Sequence, residues 1–461
     1  MKSVAILGGG ISGLALAYFL KKKYHNNLHI SLFEKSNRMG GWIRTIHSKG
    51  YQFEVGPRNL RAQGKGLETL SLALELGLKE NLIFASLPSQ RRYLLKEGKL
   101  DPIPKSIFEL LFTKSGRLIV KALLNDLFAR KGSHEEESIE AFFLRRFGRD
   151  FTRQYVDPFV TGIFGGKANE LSLKACLSRF SDLEKKYPSL VLGLLFNKEK
   201  QDVTLENDLL TKTRKSALFS FDKGVEMLPK TLYEAIQKKV DCHLNSSIAT
   251  IERRDGHFFL KTKEGSVFKK DTVISTLPLF ENRSLLPNDY KDLLDSQAFD
   301  TSYASFALIC LGWKKKILKS EGFGYLVPET EKNESVLGAV FDSIAFPSQN
   351  RAPEETRITF MLGGMRQPNL LNLDQKELLS IAKKALKKHL DIDEPFEESL
   401  IFRAKEAIAQ YQLGHLDRIH ELQEKIANHF PGFIFSGSGI GGVSINDCIS
   451  NAKKLSESLK V

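Results

Sequence analysis

The chain has 461 residues, 42% of them hydrophobic, and a formal net charge of +13. Its length predicts two or three domains. Four widely separated cysteines without a C-x-x-C pair argue against a disulfide framework, a zinc site or a redox dithiol, and favour a reducing compartment. Basic and acidic residues are interleaved, and the sequence contains no nucleic-acid-binding motif. No apolar run approaches the ~20 residues that a membrane-spanning helix needs. We also expect no signal peptide.

The chain opens with a strand-like run that leads into a glycine loop and then into a helix-like run. The loop consists of Gly8, Gly9, Gly10, Ile11, Ser12 and Gly13. In such a G-x-G-x-x-G loop the first glycine allows a tight turn, the second lets a pyrophosphate approach, and the third packs the helix on the strand, while free helix N–H groups bind phosphate. A second strand-like run, HISLFEK, reaches Glu34 at the ~20-residue spacing expected of a ribose-binding acid, which predicts a dinucleotide site and disfavours NADP.

The next stretch, SNRMGGWIRT, favours FAD over NAD. Gly40 and Gly41 permit a second close approach of the backbone, and Arg38 and Arg44 are suited to phosphate. A glycine pair directly after the ribose acid is typical of large FAD enzymes. In FEVGPRNLR, the Gly56-Pro57 pair predicts a rigid turn.

The middle of the chain changes character twice. A helix is predicted over 67–78, and the basic amphipathic segment 106–131 is expected to lie in a membrane interface, although a helix pair buried on the protein's own core is the alternative. Beyond about residue 220, HFFLKTKEGSVFKKDTVISTLP predicts a hairpin and a buried strand. YASFALICLGW, VLGAVFDSIAF and TRITFMLGG predict further strands of a mixed sheet. A helix is predicted over 374–391.

The C-terminal segment 432–459 is predicted to have the same order of elements as the start of the chain, namely a strand, a glycine loop and a helix. A helix N-terminus directed at a flavin would stabilise negative charge on the reduced ring. We therefore expect the two ends of the chain to build one FAD-binding domain, with the middle of the chain inserted.

Eight blocks along the chain, in order and nearly end to end, together resemble the oxygen-dependent protoporphyrinogen oxidase family. They are ILGGGISGL, RMGGWIRT, EVGPRNLR, GIFGGKANELSLKAC, EGFGYLVP, VLGAVFDSIAFP, QYQLGH and GGVSINDCI. The resemblance implies an α/β fold with a Rossmann-like FAD-binding domain built from both chain ends, a mixed-sheet substrate domain and a helical membrane-facing domain. The implied ranges are 1–65, 201–280 (with the hairpin) and 411–461 for FAD, 66–102 and 281–410 for the substrate, and 103–200 for the helical domain.

By that resemblance the substrate is protoporphyrinogen IX, which loses six electrons in three steps through FAD, with O₂ as acceptor and hydrogen peroxide as product. The implied substrate-binding residues are Arg92, which would hold a propionate, with Phe323, Leu326, Met361, Gly162 and Phe164. The implied cofactor-binding residues are the six of the opening loop with Glu34, Lys35, Arg38, Gly40, Gly41, Trp42, Gly56, Pro57, Arg58, Asn59, Ile248, Val443, Ser444 and Ile445. No general base and no metal ligand are assigned, so catalysis is expected to rest on positioning.

Each of these assignments has an alternative. The apolar residues could be core, Arg92 could be a solvated cation, and the adjacent Arg91 could take its place. The chain also departs from the family at Ile440-Gly441, where relatives often carry an aromatic residue and an acid.

Three other functions stay open. A coproporphyrinogen III oxidase of the same fold would need a more basic pocket, and tends to lack the arginines of GPRNLR and RRYLL. An amine oxidase or a carotene desaturase would share the FAD blocks but lack GIFGGKANELSLKAC and VLGAVFDSIAFP, and a non-catalytic basic surface binder would be colourless. The expected location is cytoplasmic, peripheral on the inner face of an anionic membrane, and pairing into a homodimer stays open.

Overall fold

The structure, a computed structural model, describes residues 1–132, 136–196 and 206–460. The parts of the predicted helical and FAD-binding ranges that fall on 133–135, 197–205 and 461 lie outside the described residues.

Most strands are short. In chain order they are β1 (Lys2–Leu7), β2 (Leu28–Phe33), β3 (Thr45–Ser48), β4 (Tyr51–Glu54), β5 (Leu60–Arg61), β6 (Leu82–Phe84), β7 (Tyr93–Lys96), β8 (Lys99–Pro102), β9 (Leu218–Phe221), β10 (Asp241–His243), β11 (Ile248–Arg254), β12 (His257–Thr262), β13 (Val267–Lys270), β14 (Thr272–Ser275), β15 (Tyr303–Trp313), β16 (Gly324–Leu326), β17 (Val336–Val340), β18 (Thr356–Gly363), β19 (Glu398–Ala409) and β20 (Phe433–Phe435).

The helices range from one turn to four. They are α1 (Ile11–Tyr24), α2 (Gly66–Glu75), α3 (Ile107–Phe112), α4 (Lys114–Phe128), α5 (Ile139–Phe147), α6 (Arg149–Phe151), α7 (Asp157–Phe164), α8 (Leu173–Cys176), α9 (Ser178–Lys186), α10 (Leu190–Phe196), α11 (Asn207–Lys215), α12 (Met227–Ile236), α13 (Leu279–Arg283), α14 (Lys291–Leu294), α15 (Asp342–Ala345), α16 (Gln375–Leu390), α17 (His415–His429) and α18 (Ile445–Ser458).

A five-stranded sheet joins the two ends of the chain. Its order is β10-β2-β1-β14-β20, and every neighbouring pair is parallel. Apart from the edge strand β10, its strands are buried along most of their length, because both faces are covered. Side chains on one face, such as Val4 and Ile6, pack against α1, α12 and α18, while Ala5 and Leu7 on the other face pack against α17 and the three-stranded sheet β11-β12-β13.

A seven-stranded mixed sheet forms the second large layer. Its order is β19-β15-β18-β17-β16-β7-β8, antiparallel except where β16 pairs with β7. The apolar face of α16 covers one side of it. The predicted strand VLGAVFDSIAF is wrong in its second half, because the chain leaves the sheet after β17 and forms α15. Asp342 begins that helix, where an acid interacts favourably with the helix dipole.

The part of the chain between β8 and β9 is helical, from α3 to α11. Its core is built from α5, α7 and their neighbours, but α3 has no buried residue. Within the described ranges, no helix is both long enough and apolar enough to span a membrane. The helices predicted over 67–78 and 374–391 are confirmed as α2 and α16, whereas the predicted domain bounds stay a prediction.

Candidate active site

Two glycine loops meet at the carboxyl end of the parallel sheet. The Gly40 N–H donates to the carbonyl of Gly9 at 2.8 Å, and a Cβ added at Gly41 would lie 3.1 Å from the Cα of Gly10. The opening loop after β1 and the loop after β2 therefore form one surface of bare backbone.

The three glycines of the opening loop differ in what surrounds them. Gly8 has a φ of +103°, which favours glycine, and a Cβ at Gly13 would lie 2.0 Å from the Gly8 carbonyl oxygen. A Cβ at Gly10, in contrast, would meet only the Cα of Gly41, at 3.9 Å. The space beside Gly10 is thus open, and a ligand can approach the backbone there.

Glu34 lies directly after β2, beside this open space. One carboxylate oxygen accepts from the Gly9 N–H at 2.8 Å, and the other accepts from the backbone N–H and the hydroxyl of Ser36 at 2.9 and 2.8 Å. The Ser246 N–H donates to the Glu34 carbonyl at 2.9 Å, which brings the start of β11 at Ile248 toward the same edge.

Arg38 supports the second glycine loop. Its guanidinium donates to the carbonyls of Met39, Gly41 and Ile43, and lies 3.6 Å from a carboxylate oxygen of Glu226. The neighbouring predicted cofactor residues differ in surroundings: the Lys35 amine pairs with Glu281 at 2.6 Å, and Trp42 is 40% exposed.

The turn at Gly56 and Pro57 carries the next two predicted cofactor residues, Arg58 and Asn59, toward the seven-stranded sheet. A Cβ at Gly56 would lie 1.8 Å from the Trp42 carbonyl oxygen, so only glycine fits. Asn59 is half-buried and directly precedes β5.

Arg58 joins the parallel-sheet region to the mixed sheet. Its Nη1 donates to Asp342 at 2.8 Å, and the other Asp342 oxygen accepts from the Thr359 hydroxyl on β18 at 2.7 Å. The buried Nη2 of Arg58 has no hydrogen-bond partner among the described residues. A buried donor of this kind can be completed by a water molecule or by a ligand.

Glu54 is buried four residues before Arg58. Its carboxyl group accepts from the Thr45 hydroxyl at 3.0 and 3.1 Å and from the Val225 N–H at 2.9 Å. Burial raises the pKa of Glu54 to about 8, and the nearby Asp342 also favours the protonated form.

The C-terminal glycine loop leads into α18, which packs against α1. Ser444 caps α18 by accepting from the Asp447 N–H at 3.1 Å. Ile445 is buried in the cluster that contains α1, and Val443 contacts the helical segment instead. The three predicted cofactor residues 443–445 therefore stand where α18, α1 and the helical segment meet.

Three of the predicted substrate residues surround one small cavity. Leu326 pairs with Gly338, and Gly338 pairs with Met361, so the three lie in one row across β16, β17 and β18. Gly162 of α7 faces this row, because a Cβ there would lie 2.7 Å from a Leu326 methyl group. These residues line a cavity of about 20 Å³.

Arg92 and Phe323 lie at the end of the same row of strands. The Arg92 guanidinium stands 5.4 Å from the centre of the Phe323 ring, and it has no ion pair or hydrogen bond in the part of the chain that the structure describes. Arg91 pairs with Glu109 at 3.2 Å instead. Of the two arginines, only Arg92 is therefore free to bind an anionic ligand.

Phe164 is not among the residues that line the small cavity, and its role toward the substrate stays a prediction. Its ring is buried in the helical cluster rather than beside the small cavity, and its carbonyl accepts from Gln410 at 2.8 Å. A larger cavity, of about 330 Å³, is lined by none of the predicted site residues; its lining includes Arg283, Tyr303 and Glu406.

Three further residues of this candidate site were not predicted from the sequence, namely Glu54, Asp342 and Thr359. Glu54 and Asp342 fall inside the quoted blocks FEVGPRNLR and VLGAVFDSIAFP, so an acid within an apolar block was the available signal. Thr359 gave no signal, because a threonine in a strand is ordinary.

Comparison with known proteins bears on this arrangement. The family model described as flavin containing amine oxidoreductase matches residues 11–459, and the chain therefore belongs to that family. A crystal structure from Exiguobacterium sp. 255-15 superposes with a TM-score of 0.83 at 24% identity, covering 99% of this chain and 98% of that one, which confirms the mixed α/β fold.

Within the family, individual relatives allow a more specific comparison. A protoporphyrinogen oxidase of Dictyostelium discoideum is 33% identical, covering 100% of this chain and 99% of the relative. That of Homo sapiens is 31% identical, covering 99% and 98%. A coproporphyrinogen III oxidase of Bacillus subtilis (strain 168) is 26% identical, covering 98% and 96%. These identities confirm the resemblance to the protoporphyrinogen oxidases.

The chain is an FAD-dependent oxidoreductase. The residues present fit FAD in two respects. The space beside the Gly10 backbone is open where a Cβ would stand, and Arg58 has a buried donor, Nη2, without a partner among the described residues.

Proposed function

We propose that this chain oxidises protoporphyrinogen IX to protoporphyrin IX with O₂ as acceptor. The observation that carries the proposal is the unpaired Arg92 beside Phe323, at the end of the apolar row of Leu326 and Met361. A flat apolar macrocycle with carboxylates at one edge matches this arrangement, because the row can contact the ring and Arg92 can bind a propionate. The relatives at 31–33% identity, which are protoporphyrinogen oxidases, support the same substrate.

In the proposed reaction, six electrons and six protons leave the macrocycle in three steps, and three O₂ become three hydrogen peroxide molecules. FAD, when bound, accepts two electrons at a time and passes them to O₂. This chain's own residues bind and orient the substrate. The six protons that leave the macrocycle equal the six that three hydrogen peroxide molecules take up, so the overall reaction releases no net protons. The parallel sheet is proposed as the Rossmann-like FAD-binding domain, with the opening loop at the pyrophosphate, Glu34 at a ribose, and Arg58 and residues 443–445 nearer the flavin.

A porphyrin fluorescence assay tests the substrate. The FAD-loaded enzyme is given protoporphyrinogen IX or coproporphyrinogen III under air, with oxygen uptake and peroxide recorded. We expect faster porphyrin formation from protoporphyrinogen IX, with three peroxide molecules for each porphyrin. A clear preference for coproporphyrinogen III, or yellow enzyme that oxidises neither, overturns the proposal.

We further propose that the enzyme docks peripherally on an anionic membrane at the cytoplasmic side, through the surface formed by α3 and α4. On α3, Ile107, Phe108, Leu111 and Phe112 are exposed, and on α4 Leu124, Leu127 and Phe128 are exposed. Large clustered apolar side chains on a surface mark an interaction site. Lys114, Arg117 and Lys121 are also exposed on α4 and suit anionic headgroups.

The position of α3 connects this surface to the proposed substrate site. The Arg91–Glu109 ion pair fastens α3 to the start of β7, next to Arg92. An apolar substrate dissolved in the bilayer would then reach the row of Leu326 and Met361 without crossing bulk water.

A further inference from the structure

The block QYQLGH, residues 410–415, connects three parts of the molecule. The Gln410 side-chain amide donates to the Phe164 carbonyl of α7 at 2.8 Å. The Tyr411 carbonyl accepts from the Ser172 N–H at 2.8 Å. The block therefore holds the helical segment from one side while its tyrosine side chain reaches the C-terminal glycine loop.

The Tyr411 hydroxyl closes that loop. It donates to the Ser438 carbonyl at 2.5 Å and accepts from the Gly442 N–H at 2.8 Å. One side-chain oxygen thus fixes both ends of the segment 438–442, which lies within the connection between β20 and α18. A second side chain contributes from α18, where the Asn451 amide donates to the Gly441 carbonyl at 2.8 Å.

The loop itself is poor in groups that would hold it. Four glycines lie within it or beside it, namely Gly437, Gly439, Gly441 and Gly442. Glycine loses more conformational freedom on folding than any other residue. The aromatic and acidic pair expected of the family is Ile440-Gly441 in this chain. The shape of the loop therefore depends on side chains from outside it.

The Tyr411 ring is held in turn by His415. The two rings stack with centres 4.1 Å apart and planes 13° apart, and the His415 side chain is fully buried, with the backbone of Gly439 in the loop as its polar neighbour. Burial lowers the pKa of His415 to about 4, so the imidazole is neutral at physiological pH. The stack fixes the tyrosine without adding charge near the loop.

We infer that Tyr411 is a positioning residue that shapes the loop 438–442 for the cofactor. Val443, Ser444 and Ile445 follow Gly442 directly, so a displaced Gly442 displaces them and the start of α18. The inference rests on the proposed placement of residues 443–445 at FAD, and it does not depend on the identity of the porphyrinogen.

The test compares wild type with Tyr411→Phe, which keeps the ring stack and removes only the hydroxyl. FAD is titrated into apoprotein by fluorescence, and the visible spectrum and midpoint potential of the bound flavin are measured. We expect the Kd for FAD to rise roughly 5- to 20-fold, as the loss of two hydrogen bonds predicts, with an altered flavin spectrum and potential. Tyr24→Phe is the matched control, because it also removes a hydroxyl that donates to a carbonyl, that of Leu459, and it should leave all three measurements unchanged.

Asn451→Ala is a milder second variant, because it removes the half-buried amide on α18 that donates to the Gly441 carbonyl of the loop. We expect a Kd for FAD raised roughly 2- to 5-fold, and this variant decides the matter if Tyr411→Phe does not fold. FAD binding, spectrum and potential all equal to wild type in the folded variants would overturn the inference, even with a lowered Tm, because the contacts would then only support the fold. None of these measurements uses a porphyrinogen, so failure of the proposed substrate is seen separately, in the wild-type assay.

Discussion

At the scale of single residues, Gly10 and Gly13 lie in one loop but have different surroundings. A Cβ at Gly10 meets open space, whereas a Cβ at Gly13 would lie 2.0 Å from the Gly8 carbonyl oxygen. We therefore predict that Gly10→Ala folds with nearly wild-type stability as apoprotein but loses FAD on purification, because the methyl group fills the space of the pyrophosphate.

The matched variant, Gly13→Ala, should lose stability itself, since helix and strand must separate to admit the methyl group. Flavin content from the visible spectrum and Tm of the apoproteins check both outcomes. A yellow Gly10→Ala protein with an unchanged affinity for FAD would place the pyrophosphate elsewhere.

Arg92 is the residue on which the proposed substrate site depends most. A charge-assisted hydrogen bond to a propionate contributes roughly 1.5–3 kcal/mol. Arg92→Ala should therefore lower kcat/KM for protoporphyrinogen IX by roughly 10- to 150-fold, and Arg92→Lys should recover part of it. Flavin content and Tm should hardly change.

Arg91→Ala is the control, because Arg91 pairs with Glu109 and its loss should affect α3 more than the substrate. If Arg91→Ala carries the loss of kcat/KM and Arg92→Ala does not, the propionate contact belongs to Arg91. If kcat/KM changes by less than about twofold in both variants, the propionate does not bind at this end of the site.

At the scale of elements, α3 is a helix without a buried residue. A capping box of Ser106 and Glu109 holds its first turn, and its apolar side chains face outward. We predict that the double variant Phe108→Ser, Phe112→Ser weakens binding to anionic liposomes at least tenfold, since each buried phenylalanine contributes roughly 1.5–3 kcal/mol. Tm should change little.

Flotation of the FAD-loaded enzyme at low salt measures this binding. Val267→Ser, at an exposed apolar position on β13, is the control and should float as wild type does. Equal flotation of the double variant and wild type would show that α3 does not face lipid.

At the scale of the whole molecule, the parallel-sheet region and the mixed sheet are joined by buried charge. Arg58 pairs with Asp342 across this junction, and Glu54 lies nearby with a pKa raised to about 8 by burial. In the unfolded chain a glutamate has an ordinary pKa near 4.5. The folded protein therefore holds this proton more tightly than the unfolded chain does.

The sign of the pH dependence follows. The contribution of Glu54 to the free energy of unfolding is fully present below about pH 4.5 and falls as the pH rises to about 8. Glu54→Gln, which imitates the protonated form, should match wild type near pH 5 and exceed it by roughly 2–5 kcal/mol above pH 8. Tm profiles at constant ionic strength and constant FAD check this, and parallel profiles for the two proteins would mean that Glu54 titrates normally.

Local signals explain how far the sequence alone predicted this protein. The glycine loops, the strand before each and the helix after each were readable because they depend on neighbouring residues and on backbone freedom. The end of β17 was not, since Asp342 leaves the sheet to meet Arg58, which is 284 residues away in the chain.

The sequence by itself determined the FAD-binding class, the contribution of both chain ends to one domain and the resemblance to the protoporphyrinogen oxidases. Each of these is encoded in contiguous blocks of residues. Only the tertiary structure decided that Arg92 is free while Arg91 is paired, that the Phe164 ring belongs to the helical core, and that Tyr411 closes the C-terminal loop. Each of these depends on which groups from distant parts of the chain pair with a charge, pack around a ring or complete a hydrogen bond. That choice is made by packing, which no local pattern records.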